Sequence, residues 1–426
     1  MSLTSRPRRS VSRRVLIRAA VAVSAAALAV SALAGCSSSG AGTESGSKTV
    51  TFLSWDNETT MQPLIKEFEK ENPGYKVAFS FAQPVTGYIQ KLQTELGSGT
   101  APDVFIITAE NKQQIMGGHF AKDLSNESWI SNIATAAKAT YTKDGKIYGA
   151  ATSSWGGGLL VNEDLLAKVG YTGQPKTWQQ FLELCKKLQD AGITPFYEAG
   201  DGIPVTLAAL LGLQNQADGG KMDANIWAGK STFAKSWTPA LKTWDELFDQ
   251  GLESRSVAGL TGDQVQQEFN QGKVAMIGTG SWTPGGIRQA APNLKFEFWP
   301  VPGATGKGYW AGAVSPGYAI NAKAKDPQAA EKWVEFLQSK TAAQMYNKAT
   351  GTIMTTKDFT PKVDPSLDKM VAPVRDGDFY LPAVSWPTNS DVLSTTSISL
   401  MQQNILGKIT PEQFARGMDT ELQSVK

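Results

Sequence analysis

The sequence predicts an α/β protein. Three patterns near its start carry that prediction: a β-branched and aromatic run at 48–55, an apolar repeat at helical spacing after it, and a wholly apolar run at 104–107. Lys48 to Trp55 reads as the first strand. Met61, Leu64, Ile65 and Phe68 recur on one helical face, and the helix stops near Asn72-Pro73-Gly74. Tyr75 to Phe81 reads as a second strand, Tyr88 to Leu96 as a helix ended by Gly97, and Val104 to Ile107 as a buried parallel strand. The opening is therefore β-α-β-α-β. Farther on, Thr177 to Gln180 carries a capping-box signature, and its helix sets Phe181, Leu184, Cys185 and Leu188 on one face, so Cys185 reads as a core thiol. Helices are also expected at Pro239–Phe248, Asp263–Asn270, Pro327–Leu337 and Pro411–Leu422, with a strand at Lys273–Ile277.

Composition removes several function classes. The 426 residues include one histidine, His119, and two cysteines, Cys36 and Cys185. One histidine cannot build a multi-histidine zinc site, and two cysteines allow at most one disulfide. No metal, cofactor or catalytic group is expected. A formal net charge of +2 argues against a nucleic-acid partner, which calls for a strong basic excess.

That charge is unevenly spread. Residues 1–18 hold six arginines and no acid, residues 19–35 are uncharged and Ala-, Val- and Leu-rich, and Leu33-Ala34-Gly35-Cys36 follows. This is the layout of an export signal. Leu33 to Cys36 resembles the lipobox of bacterial lipoproteins, which implies cleavage before Cys36, lipidation at that residue and anchoring at the outer face of the cell membrane. Arg13-Arg14, within Ser12 to Arg18, resembles a twin-arginine motif, so export by the Sec or the twin-arginine route is expected. Without residues 1–35 the net charge of +2 becomes −4. Residues 36–48 read as the lipidated cysteine and a Ser/Gly-rich leash.

Four segments, taken in order, carry a family resemblance: Thr51–Asp56 with Phe68–Pro73; Ala101–Val104; Tyr148–Ala151 with Leu159–Leu165; and Gly272–Met276 with Gly280–Trp282 and Pro300–Gly303. Together they resemble the extracellular solute-binding proteins of ABC importers, in their carbohydrate-binding group (family 1). The resemblance implies a two-lobed periplasmic-binding-protein fold with a ligand cleft and hinge between lobes. It implies a first lobe of residues 49–154 plus 316–357 and a second of 158–312 plus 362–426. It further implies a monomer that binds a di- or oligosaccharide and delivers it to ABC permease subunits. Gly156-Gly157-Gly158 falls at an expected lobe crossing, where glycines would let dihedrals change.

A sugar presents apolar C–H faces and a hydroxyl rim, so its site needs flat aromatics and planar polar groups. Twelve tryptophans supply the first ingredient. Trp129, Trp178, Trp237, Trp244 and Trp333 read as helix packing. Trp55 ends the first strand, where α/β sheets place ligands. Trp155 adjoins the glycines, Trp310 lies near a second crossing, and Trp282 and Trp386 stand where the family places sugar-contacting aromatics. For the rim, Asp56, Asn57 and Glu58 follow the first strand, and Glu110 and Asn111 follow the third. A maltose-binding member of the family has an acid and a basic residue at these last two positions, so Asn111 removes a charge and departs from maltose-like specificity. Glu198 and Asp201 are second-lobe candidates, Asn389 and Asp391 weaker ones, and Asp103 reads as structural. Two alternatives stay open: an exported glycosidase using paired carboxylates, and the same fold holding a non-sugar solute.

Overall fold

A computed structural model describes residues 48–83 and 85–426, except the Thr86 side chain. The export signal, Cys36 and most of the leash lie outside the described residues.

The first sheet has five strands, in the order Tyr75–Phe81, Lys48–Ser54, Val104–Ile107, Gly317–Ile320, Ala150–Ala151. The first three are parallel, and Gly317–Ile320 runs antiparallel to both its neighbours. The helix Glu58–Glu71 buries Met61, Leu64, Ile65 and Phe68, as its spacing predicts, and Asn72 ends it. Phe68 meets Trp333 edge-on at 5.1 Å and Phe336 at 5.5 Å. Both partners sit on the helix Pro327–Leu337, so late sequence completes the first core. Asp103 is structural: Oδ2 accepts from the Thr51 N–H (2.9 Å) and hydroxyl (2.6 Å), and Oδ1 from the Lys325 N–H (2.6 Å). One buried carboxylate thus pins three separate stretches of chain.

The second sheet runs Phe296–Trp299, Ser153–Asn162, Val274–Gly280, Thr194–Glu198, with Ala311–Val314 and Ile353–Met354 both paired to the start of Ser153–Asn162. Helices including Trp178–Asp190, Val205–Ala217, Thr238–Asp249 and Pro411–Ser424 cover it and share one large core. Cys185 is fully buried there. The Thr177 hydroxyl accepts from Gln180 N–H as a cap should, but the Gln180 side chain accepts from Lys176 N–H, one residue short of a closed box. Complete capping boxes occur at Thr261/Gln264 and Thr410/Gln413.

The chain passes between the sheets at Thr152, at Ser315–Pro316, and in the stretch from Ile353 to Asp364. These strands lie side by side. Ser315 N–H donates to Ser153 O (3.1 Å), Ser153 Oγ donates to Ser315 O (2.8 Å), and Thr355 N–H donates to Thr152 O (2.8 Å). Gly156-Gly157-Gly158 is not a hinge turn, because it lies inside the long strand, paired on both sides. Its glycines answer crowding: a Cβ at Gly156 would stand 2.6 Å from Met370 Sδ, and one at Gly158 would stand 2.7 Å from the Trp310 ring.

Candidate functional site

A cavity of about 400 Å³ opens between the two sheets, within the range of ordinary ligand pockets. Trp55 and Asp56 reach it from the carboxyl end of the strand Lys48–Ser54, and Ala109 and Glu110 from the end of Val104–Ile107. Tyr346 and Thr350 come from the helix Lys340–Thr350, and Ser315, Pro316 and Thr352 from the crossings. Trp155, Trp282 and Leu381 close it from the second lobe. Three other concavities, of about 410, 530 and 550 Å³, are larger, but the first, with Trp129, is lined by the first lobe alone, and the other two lie on the second lobe with no tryptophan.

Each cavity tryptophan is held from behind. Trp55 stands edge-on to Tyr88 with centroids 6.0 Å apart, and Tyr88 is fixed by donating to Ile106 O at 2.8 Å. Trp155 and Trp282 stand edge-on to each other at 5.3 Å. Trp282 is 58% exposed, the most exposed large hydrophobic side chain among the described residues. A Cβ at Gly280 would stand 2.0 Å from its ring, so only glycine lets the indole fold back over the strand end. An exposed, positioned indole is a platform with an unused face.

The polar side is acidic. Asp56 Oδ2 accepts from the Tyr346 hydroxyl at 3.1 Å, and Asp56 N–H donates to Ser54 Oγ at 2.9 Å. Burial pushes the Asp56 carboxyl up to about 6, against the pull of its bonds to Tyr346 and Ser54. Beside the cavity the lobes also touch directly. Lys112 Nζ donates to Val384 O, Gln113 Nε2 to Trp386 O (3.2 Å), and Ser390 Oγ to Glu110 O (3.3 Å). Burial lowers Lys112 to about 8.

Of the residues expected from sequence, Trp55, Asp56, Trp155, Trp282 and Glu110 converge on this cavity. The others do not. Trp386 is fully buried in the second-lobe core, stacked with Trp227 and Trp237 at 6.2 and 6.1 Å. Trp310 is 4% exposed and packs over Gly158. Asn57 is a helix cap, its Oδ1 accepting from Thr60 N–H at 3.2 Å, and Glu58 is exposed in the first turn. Asn111 is a buried turn residue whose Oδ1 accepts from Thr108 N–H at 2.8 Å. Asp201 accepts from Gly262 N–H at 3.1 Å, at the start of another helix. Glu198 is buried inside the second lobe, bonded to the Thr206 N–H (3.1 Å) and hydroxyl. Asn389 and Asp391, at the start of the helix Ser390–Ile405, do not line the cavity either. Asp56 is the rim acid that belongs in the site. Of the three rim candidates after the first strand it is the one that lines the cavity, and residue type separates it from its neighbour: Asn57, just before a helical repeat, is a cap by type, which leaves the preceding acid at the strand end. Tyr346 had no local signal. Among the described residues no three His, Cys, Asp or Glu side chains gather to hold a metal.

A two-lobed α/β body with an aromatic cleft beside a multi-strand crossing defines a class of solute receptors. The chain belongs to the bacterial extracellular solute-binding proteins, matching that family over residues 54–344. It is 24% identical over 366 residues to a multiple sugar-binding protein of Streptococcus mutans, covering 82% of this chain and 85% of the relative. A family 1 extracellular solute-binding protein from Bifidobacterium longum subsp. infantis is 31% identical and superposes with a TM-score of 0.76, over 89% of this chain and 100% of that one. Raffinose-bound RafE, whose unliganded form is from Streptococcus pneumoniae, is 22% identical and shares the fold at a TM-score of 0.75, over 89% and 99%. Among the described residues no helix is long and apolar enough to cross a membrane.

Proposed function

We propose that this protein is a receptor that takes a di- or oligosaccharide into the cleft between its lobes, closes on it and hands it unchanged to ABC permease subunits. One observation carries the reading: Trp55 from one lobe and Trp155 and Trp282 from the other face a single cavity that also holds Asp56 and Glu110. Flat indoles cover sugar C–H faces, and carboxylates accept strong hydrogen bonds from hydroxyls. The multiple sugar-binding name of the Streptococcus mutans relative supports the same ligand class. Two lobes joined by adjacent crossing strands suit a hinge closure.

In this reading the lobes are residues 49–154 plus 316–357 and 158–312 plus 362–426. The receptor is a monomer, exported by the Sec or twin-arginine route and held at the membrane by lipid on Cys36. Multiple acyl chains give stable anchoring where one gives marginal binding. It needs no cofactor and no catalytic residue.

Intrinsic tryptophan fluorescence and thermal melting, read across raffinose, maltotriose, xylotriose and chitotriose, test the proposal. Saturable changes with at least one of them are expected, and a flat response across a broad di- and oligosaccharide panel overturns it. Asp56 and Glu110 in one cavity are the single observation favouring a glycosidase instead. Release of aryl alcohol from aryl glycosides would select that reading.

A further inference from the structure

We propose, resting on the sugar-receptor reading above, that the cleft sorts saccharides by charge: it accepts neutral and amino-bearing sugars and rejects those carrying a carboxylate. The described lining residues include two acids, Asp56 and Glu110, and no lysine, arginine or histidine. The nearest lysine along the chain from Glu110, Lys112, does not line the cavity, and its ammonium is committed to the Val384 carbonyl on the neighbouring lobe contact. A helix N-terminus is the other ordinary device for holding an anion. The helix Glu58–Glu71 starts beside the cavity, but the Asn57 side chain already accepts from its Thr60 N–H, and Glu58 occupies its first turn. The helix Val85–Ser98 also starts at the cavity, where Val85 lines the wall, and its first turn holds no acid. A helix start carries only about half a charge, so an anionic ligand meets two carboxylates with no cationic side chain to offset them.

The environment strengthens the effect. Asp56 is half-buried in the cavity wall, and the Tyr346 hydroxyl bonds one of its oxygens. At an effective dielectric of about 20, like charges about 6 Å apart cost about a hundredfold in affinity. A protonated amine in the same place gains instead, because its N–H donors meet carboxyl oxygens that accept. Neutral hydroxyls also bind these carboxylates, so the discrimination is directed at anions.

Calorimetry on the purified protein tests this. The tightest neutral binder among raffinose, maltotriose, xylotriose and chitotriose is compared with derivatives modified at one hydroxymethyl-bearing or terminal ring at a time, the hydroxyl being either oxidised to a carboxylate or replaced by an amine. At one or more rings the carboxylate form is expected to bind about a hundredfold more weakly than the parent, while the amine form binds at least as well. Asp56→Asn is expected to narrow that gap by about tenfold. Glu110→Gln gives an independent second reading if the first variant is poorly folded. Carboxylate forms that match the parent at every ring overturn the proposal. So does equal loss with the amine, which would show crowding, or a gap that neither variant narrows. If no neutral or amino sugar binds at all, the receptor reading itself fails, an outcome distinct from these.

Discussion

Trp282→Ala separates a binding platform from a core residue. The indole is 58% exposed, and its ring rests over Gly280 and against the edge of Trp155. Without ligand, the substitution forfeits chiefly that edge-on contact, worth about 1 kcal/mol. In a chain of this size that lowers the melting temperature by about 2 °C. With ligand the loss is larger. A sugar face covering about 100 Å² of apolar surface contributes about 2.5 kcal/mol, which is about a seventyfold weakening of affinity. Calorimetric titration with the tightest neutral sugar, beside a differential scan of the unliganded protein, measures both quantities. A melting drop beyond about 6 °C without ligand would show the ring to be core. An affinity change under about threefold would remove it from the ligand surface.

Three further outcomes follow from other contacts. Gly280→Ala puts a Cβ into the Trp282 ring and should displace the indole, reproducing much of the Trp282→Ala affinity loss with every tryptophan still present; unchanged titration would refute the crowding argument. Burial raises the Glu198 carboxyl from 4.5 to about 7, with Glu253 alongside pushed up as well. The folded chain keeps a proton that the unfolded chain releases, so stability is fully present below about 4.5 and declines as pH rises through about 7, by on the order of 3 kcal/mol. Melting temperature should fall between pH 5 and pH 8, and Glu198→Gln should flatten that fall; a pH-independent wild type would contradict it. Cys36→Ala should release the protein from the membrane fraction of cells that make it, and a variant still held there would refute the lipid-anchor proposal.

What sequence could and could not deliver divides along physical lines. The opening strands and the helix over Met61 to Phe68 were legible because β-branched, aromatic and wholly apolar runs mark buried strands and 3.6-residue spacing marks a buried helix face. That Phe68 packs on Trp333 was not, since nothing local to either residue specifies a partner so distant along the chain. Tryptophan type cannot say which way an indole points. Trp282 and Trp386 both sit in polar, Gly- or Pro-containing loops, yet one projects from a strand end and the other closes a stack between Trp227 and Trp237. Trp310 was misread for a related reason: the bare backbone of Gly158 makes room for its ring inside the sheet. At the rim, capping chemistry separates Asn57 from Asp56, a distinction of one residue that strand-end position alone cannot draw.

The interleaving of the two sheets also dictates an order of assembly. The strand Gly317–Ile320 lies between Val104–Ile107 and Ala150–Ala151, and the helix Pro327–Leu337 covers the same core. A chain stopped after Ala151 would hold four of that sheet's strands with an open gap where the fifth belongs, and with Phe52 and Phe68 lacking the Trp333 ring. The amino-terminal lobe therefore cannot mature first and wait for its neighbour. Its last strand arrives only after most of the other lobe has been made, so the two should fold as one late, cooperative event. A fragment ending before Gly317 should aggregate through its unpaired strand edges.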